Sequence, residues 1–401
     1  MDASGHVEPD CGVVPRNIVS RRRNAAKSPR NRSPRYGKGL ARIQGMTLGR
    51  WCGLLVSSLA LNGLIHSAQL GAQEHTPAKR AARLDETTRT AFIRSAQVWS
   101  PTNIPSIDMR AGPDGGGAFP PNQMVTCTYV EGRRHGSSRK FACAISPGDV
   151  VKIRYGVHNE EVQASVLATR LLWALGFAAD RVYPVHVRCK GCSSDPWQRP
   201  GRVSEDHVFA PAVIERHPEG YEVTDEVTAG WSWGELDLVD ESMGGASPAQ
   251  RDALKLLAVF MQHTDTKREQ QRLLCLPGGL VAGGRCVKPF LMLHDVGLTF
   301  GHANKFNRTS SGSVDLDKWA NTPVWKDPDA CVGHLSKSLT GTLGNPPISE
   351  AGRLFLAHLL VQLSDRQLHD LFEVAGVDRE PEWVAAFKHK RDEIVSAHCA
   401  R

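Results

Sequence analysis

An apolar run of membrane-spanning length is missing from this sequence of 401 residues. The apolar block WCGLLVSSLALNGLI at 51–65 falls short of the roughly 20 residues a spanning helix needs. No internal repeat is visible, which argues against solenoid and propeller plans. The C-x-x-C of Cys189 and Cys192 has no second copy after it, so spacing does not assemble the four ligands of a structural zinc and leaves at most half a site. Basic excess is missing as well once residue 50 is passed. The formal charge is +7, but eleven lysines and arginines precede residue 51. The remainder is mildly acidic and offers no nucleic-acid groove.

What is present is ordinary for a globular protein, 41% apolar and 23% charged, with length for two domains or one bilobal domain. The block at 51–65 follows Arg50 and precedes small residues around Ser67-Ala68 and Gly71-Ala72. That is the anatomy of a secretory signal peptide, with an uncleaved anchor as the alternative. Such a block normally sits near a chain start, so Met46 is read as the initiator and residues 1–45 as an upstream over-extension; a disordered basic arm is the other reading. The chain is therefore expected to be exported (periplasmic, secreted or luminal), touching membrane only through such an anchor.

Cysteine usage agrees with export. Beyond Cys11 and Cys52 eight remain, an even number that suggests disulfides. Cys127 with Cys143 and Cys275 with Cys286 would each close a hairpin-sized loop, leaving Cys189 with Cys192 and Cys331 with Cys399 as the simplest remainder.

Residues 73–120 read as a linker, rich in Thr, Arg, Pro and Gly, with one weak helix near 84–99. Strand patterns follow at 124–130, 140–145 and 150–155, an antiparallel meander. Asn159 caps a helix that carries Glu160 and Glu161 in its first turn and ends at Gly176. Two further strands, 181–188 and 207–216, complete a small α+β lobe over 121–217. The remainder, 218–401, reads as mostly helical: a helical pattern at 230–239, Ser247 and Gln250 as a capping box for 251–262, and helices at 349–363, 364–375 and 382–397.

Three stretches carry chemistry. VVKIR at 150–154 places Lys152 in a strand, with Arg154 on the same face as a rival cation; Glu161, or the adjacent Glu160, stands where it can pair with Lys152. HTDTKREQQ at 263–271 packs an acid, a lysine and two amides behind an apolar helix. LMLHDVG at 291–297 ends a strand on Asp295 before a freely turning glycine. A strand lysine, a loop acid with trailing amides and an Asp-x-Gly, in that order, suit phosphoryl transfer, which needs a cation on the phosphates, an acid on Mg²⁺, a second metal ligand and a base for the acceptor. On this reading Asp265 is the base, Lys267 a γ-phosphate contact, Asp295 a metal ligand, and Gln270 or Gln271 the second.

The order resembles the protein-kinase-like superfamily over about residues 124–300. Val151-Lys152-Ile153 is similar to its third-strand lysine motif, Glu161 to its helix glutamate, His263 to Gln270 to its H-R-D-x-K-x-x-N loop, and Asp295-Val-Gly297 to its D-F-G. The resemblance implies a bilobal α+β fold, a small antiparallel-sheet N-lobe with one main helix and a mostly helical C-lobe. It also implies ATP with Mg²⁺ (or Mn²⁺) and transfer of phosphate to a hydroxyl. Gln270 stands where the family has Asn, Thr264 where it has Arg, and Val296 where it has Phe. There is no G-x-G-x-x-G; Gly132 and Gly136 sit where a phosphate-covering loop belongs, and Glu215, in the last lobe strand, joins Lys152, Glu161 and the two glycines as a nucleotide-binding candidate. An Ala-Pro-Glu is missing after Asp295. With the export signal and cysteine pairs, this looks like the atypical kinases of the secretory pathway, whose acceptors are proteins and glycans. Two alternatives stand beside it: a catalytically silent kinase-like module that binds nucleotide or another ligand, suggested by the scarcity of ATP outside cells, and a metal-dependent hydrolase using His263, Asp265, His294 and Asp295.

Overall fold

The structure, a computed structural model, describes residues 86–132, 136, 138–223, 230–282, 285–301, 314–336 and 341–399. The basic arm, the apolar block at 51–65 and the start of the linker lie outside the described residues. After a short helix α1 (Glu86–Arg94), five strands follow: β1 (Met124–Val130), β2 (Lys140–Ser146), β3 (Asp149–Tyr155), β4 (Arg181–Lys190) and β5 (Asp206–Arg216), with helix α2 (Glu160–Ala174) between β3 and β4.

Side chains on these strands alternate with period two. On β3 Val151, Ile153 and Tyr155 enter an apolar interior shared with Tyr129, Phe141 and Phe209, while Val150, Lys152 and Arg154 take the opposite face. The strand order is β1-β2-β3-β5-β4, and the sheet closes into a barrel through a parallel pairing of β1 with β4 that sets Cys127 opposite Cys189. This corrects the expected antiparallel sheet at one pairing. The remaining pairs are antiparallel as anticipated, but a parallel contact between distant strands has no local signature, and closure removes the exposed edges an open sheet would carry. Aromatic rings fill the interior, Phe209 lying 5.1 Å from Phe141 and 4.7 Å from Tyr155 between ring centroids.

Four disulfides link Cys127 to Cys143, Cys189 to Cys192, Cys275 to Cys286 and Cys331 to Cys399, the two hairpin-loop pairs expected from spacing and the two expected as the remainder. The first ties β1 to β2. The second uses both cysteines of the C-x-x-C, which removes them from any zinc site.

Asn159 starts α2 by accepting from the Glu161 amide at 3.2 Å, while its own Nδ2 donates to the carbonyls of Arg139 (2.8 Å) and Tyr155 (3.1 Å). One cap thus joins β2, β3 and the helix. The helix is apolar on nearly every side and is buried accordingly, from Val162 through Leu167 and Leu171 to Leu175. Gly176 ends it at φ +83, where a Cβ would lie 2.1 Å from the Ser100 carbonyl oxygen, so no larger residue fits that turn.

A capping box of Ser247 and Gln250 launches α3 (Pro248–Phe260) as expected, and the pattern at 230–239 becomes a short 3-10 turn, Trp233–Leu238. A three-stranded sheet of β6 (Tyr221–Glu222), β7 (Gln271–Cys275) and β8 (Pro289–Leu293) then interrupts the helices; of these, only the end of β8 is expected from sequence. Beyond it come α4 (Leu316–Asn321), a small pair β9 (Trp325–Asp327) and β10 (Val332–Gly333), and the helices α5 (Glu350–Leu360), α6 (Asp365–Ala375) and α7 (Glu380–Ser396). Phe260, Trp319, Phe372, Trp383 and Phe387 stack at their centre. The larger core draws on residues from Phe92 to Cys399, apart from the barrel interior, and takes in α2. Residues Ala72–Arg401 cluster as one compact unit. Among the described residues no helix is long and apolar enough to cross a membrane.

Candidate active site

The register of the barrel gathers charge on one outer face. Lys152 and Arg154 lie two apart on β3; Lys140 stands opposite Arg154 on β2, and Glu215 opposite Lys152 on β5. Glu161 comes over this face from the first turn of α2. Arg154 is the hub: its side chain is 1% exposed, with Nε 3.0 Å from Oε2 of Glu161, Nη1 2.7 Å from Oε2 of Glu215 and Nη2 3.1 Å from Oδ1 of Asp295. Lys152, the cation expected to pair with Glu161, pairs with Glu215 across the strands. Arg154 is nearer the connection into α2, so its longer guanidinium meets the helix while Lys152 lies a pleat away. Ser138 donates its hydroxyl to Glu161 Oε2 at 2.7 Å.

Three carboxylates around one guanidinium set the local electrostatics. Burial opposes the charge of Arg154, yet Glu215, Asp295 and Glu161 outweigh it and hold its pKa above the arginine norm. Burial likewise works against the Asp295 carboxylate, but Arg154, Lys152 and His294 keep it well below the usual range. Glu161 goes the other way: burial pushes its carboxyl up, more than Arg154 pulls it down. Lys140 is lowered by burial despite the attraction of Glu161.

Strand β8 ends by delivering His294 and Asp295. The Gly297 amide donates to Oδ1 of Asp295 at 3.3 Å, and a Cβ on Gly297 would lie 2.7 Å from Cγ of Glu161. The Asp-x-Gly and the helix glutamate are therefore packed against each other. In the loop after α3, Asp265 Oδ2 accepts from Lys267 Nζ at 3.0 Å and from Gln270 Nε2 at 2.9 Å. Gln271 is fully buried; with its amide oriented to satisfy its neighbours, the nitrogen donates to the carbonyls of Trp231 and Arg268 (each 3.2 Å) and the oxygen accepts from Trp233 Nε1 at 3.0 Å. It anchors the loop, which leaves Gln270 as the amide at the cleft.

A cavity of about 570 Å³ opens over this face. Of the residues singled out from sequence, Gly132, Gly136, Lys152, Lys267, Gln270 and Asp295 line it, and Glu161, Glu215 and Asp265 do not. Lys140 lines it too, together with Val130, Ala142 and Val150, which share the outward parity of Lys152. Sequence reasoning passed over Lys140 and Ser138; the signal for Lys140 was its register opposite Arg154, visible only once β2 and β3 are paired. Oxygen donors suited to a hard divalent cation are at hand. Among the described residues the hydrogen bonds to Asp295 fall on Oδ1, and Gln270 commits its amide nitrogen, not its carbonyl oxygen, to Asp265.

The four residues of the hydrolase reading do not converge. His263 is fully buried with neither ring nitrogen hydrogen-bonded, near Trp233, and burial lowers its pKa to about 4. His294 turns to Asp180, its Nδ1 2.6 Å from Oδ2, rather than to His263 or Asp265.

No family model and no curated protein matches this chain. Among solved structures, the crystal structure of the Helicobacter pylori proinflammatory kinase CtkA aligns with a TM-score of 0.38 at 8% sequence identity, covering 70% of this chain and 96% of that one. A likeness of that strength says nothing about the reaction.

Proposed function

We propose that this chain is an exported, kinase-like phosphotransferase of bilobal plan that moves the γ-phosphoryl group of ATP to a hydroxyl on a protein or glycan. The observation that carries the reading is the single cavity on which Lys152, Lys267, Gln270 and Asp295 converge, backed by Arg154 and its three carboxylates. Its outward apolar residues, Val130, Ala142 and Val150, give a nucleobase a surface, and its cations give the phosphates theirs.

Asp295 and Gln270 would hold Mg²⁺, which when bound neutralises charge on the triphosphate. Arg154 fixes Asp295 through Oδ1 and keeps it ionised. Lys152 and Lys140 present cations to the phosphates from neighbouring strands. Asp265 holds the acceptor's hydroxyl proton, and Lys267, tied to it at 3.0 Å, steadies that carboxylate and reaches the transferring group. Four disulfides agree with an oxidising, exported setting.

One observation favours the silent binding module instead: Asp265 does not line the cavity. Incubating the full chain with γ-labelled ATP, Mg²⁺ and protein or glycan acceptors separates the two. Labelled acceptor that disappears in Asp265→Asn supports transfer. Nucleotide binding without transfer to any acceptor supports the module.

A further inference from the structure

We infer that Asp180, His217 and His294 form a binding site for a borderline divalent transition cation of the zinc class, separate from the oxygen ligands of Asp295 and Gln270. Their ligand atoms all lie within 4.8 Å of one another. Asp180 stands one residue before β4, His217 one after β5 and His294 one after β8, so three strand ends bring together residues far apart in sequence. Asp180 is 2% exposed, and its ion pairs run to His217 (Nδ1 to Oδ1, 3.1 Å) and His294 (Nδ1 to Oδ2, 2.6 Å).

Two features point to a cation rather than to hydrogen bonds alone. Oδ2 of Asp180 and Nδ1 of His294 are both buried and face each other at 2.6 Å, with no other hydrogen-bond partner for either among the described residues. In a tetrahedral site with bonds of roughly 2.0–2.1 Å, ligand atoms stand about 3.3 Å apart. The two Asp–His separations, 3.1 and 2.6 Å, fall short of that value by amounts that small side-chain rotations make up. Two imidazoles and one carboxylate suit zinc, iron or copper, whereas Mg²⁺ prefers oxygen throughout.

Three protein ligands leave a position open, the arrangement of zinc sites that bind water or substrate. The His217 side chain is 72% exposed, and His217 and His294 line both the 570 Å³ cavity and the adjoining one of about 430 Å³. The open position therefore faces the cleft and would take an anionic oxygen, from water or from a substrate phosphate or carboxylate. This site rests on its own three residues and stands whether or not phosphoryl transfer does.

The test uses the full disulfide-bonded chain, stripped with EDTA and titrated with Zn²⁺ by calorimetry and with Co²⁺ by visible absorption. Expected are one ion per chain at this site, the absorption of a four-coordinate cobalt centre, and affinity reduced at least about tenfold in His217→Ala and in Asp180→Asn. His217→Ala is at an exposed position, and an unchanged circular-dichroism spectrum checks its fold. No binding by the parent chain, or binding equally tight in both variants, overturns the inference; an Asp–His ion cluster without a metal gives the first of these results.

Discussion

Nη2 of Arg154 lies 3.1 Å from Oδ1 of Asp295, and this pair joins the outer face of the barrel to the strand end after β8. The same guanidinium also holds Glu161 and Glu215. Arg154→Met would leave three carboxylates facing one another with their central cation gone. Removing one partner of a buried charge cluster costs about 3–5 kcal/mol, and urea unfolding should show a loss of that size, with Arg154→Lys losing less. Parent-like stability in Arg154→Met would mean the cluster is not organised around this residue.

Gly297→Ala tests the contact between the Asp-x-Gly and α2. The added Cβ would fall 2.7 Å from Cγ of Glu161, so the helix or the strand end has to move. A cost of about 1–3 kcal/mol is expected, with weaker nucleotide binding than the stability loss alone explains. A variant that matches the parent in both respects would show that Glu161 has room to spare.

His263 makes stability depend on pH. Its pKa in the fold is about 4, against about 6.5 in the unfolded chain. The unfolded state thus binds more protons between these values, and stability falls as pH drops through that window, with nothing lost above pH 6.5 from this group. The full effect is on the order of 3 kcal/mol. Chemical denaturation of the parent and His263→Phe from pH 7 to pH 4 should show a flatter profile in the variant; parallel profiles would place the acid sensitivity elsewhere.

The disulfide from Cys331 to Cys399 spans 68 residues and ties the chain after α7 to β10. Cross-linking a loop of that length stabilises by about 4 kcal/mol on chain-entropy grounds. The double variant Cys331→Ser, Cys399→Ser should lose most of that in thermal unfolding, and a melting temperature within a degree or so of the parent would contradict it.

Local signals were legible and non-local ones were not. Ser247 with Gln250, and Asn159, are caps whose chemistry lies within a few residues, and each starts its helix. Cysteines spaced as hairpin loops were found in those pairs. Period two put Lys152 and Arg154 on one face, but parity alone does not say which of two cations reaches a helix that begins several residues later. The closing of β1 on β4, the register that sets Lys140 opposite Arg154, and the meeting of Asp180 with His217 and His294 all depend on strands distant in sequence. So does β7, whose partner lies beyond the Cys275–Cys286 loop.

If the cleft binds a magnesium nucleotide through Asp295, as proposed, a thermal-shift titration of the full chain with Mg-ATP will show it. The parent should be stabilised in proportion to ligand occupancy, by several degrees at saturation, and Asp295→Asn, measured against its own unliganded melting point, should show little or no shift. A parent chain that no nucleotide and metal stabilises, or an Asp295→Asn chain that is stabilised as much as the parent, would contradict it.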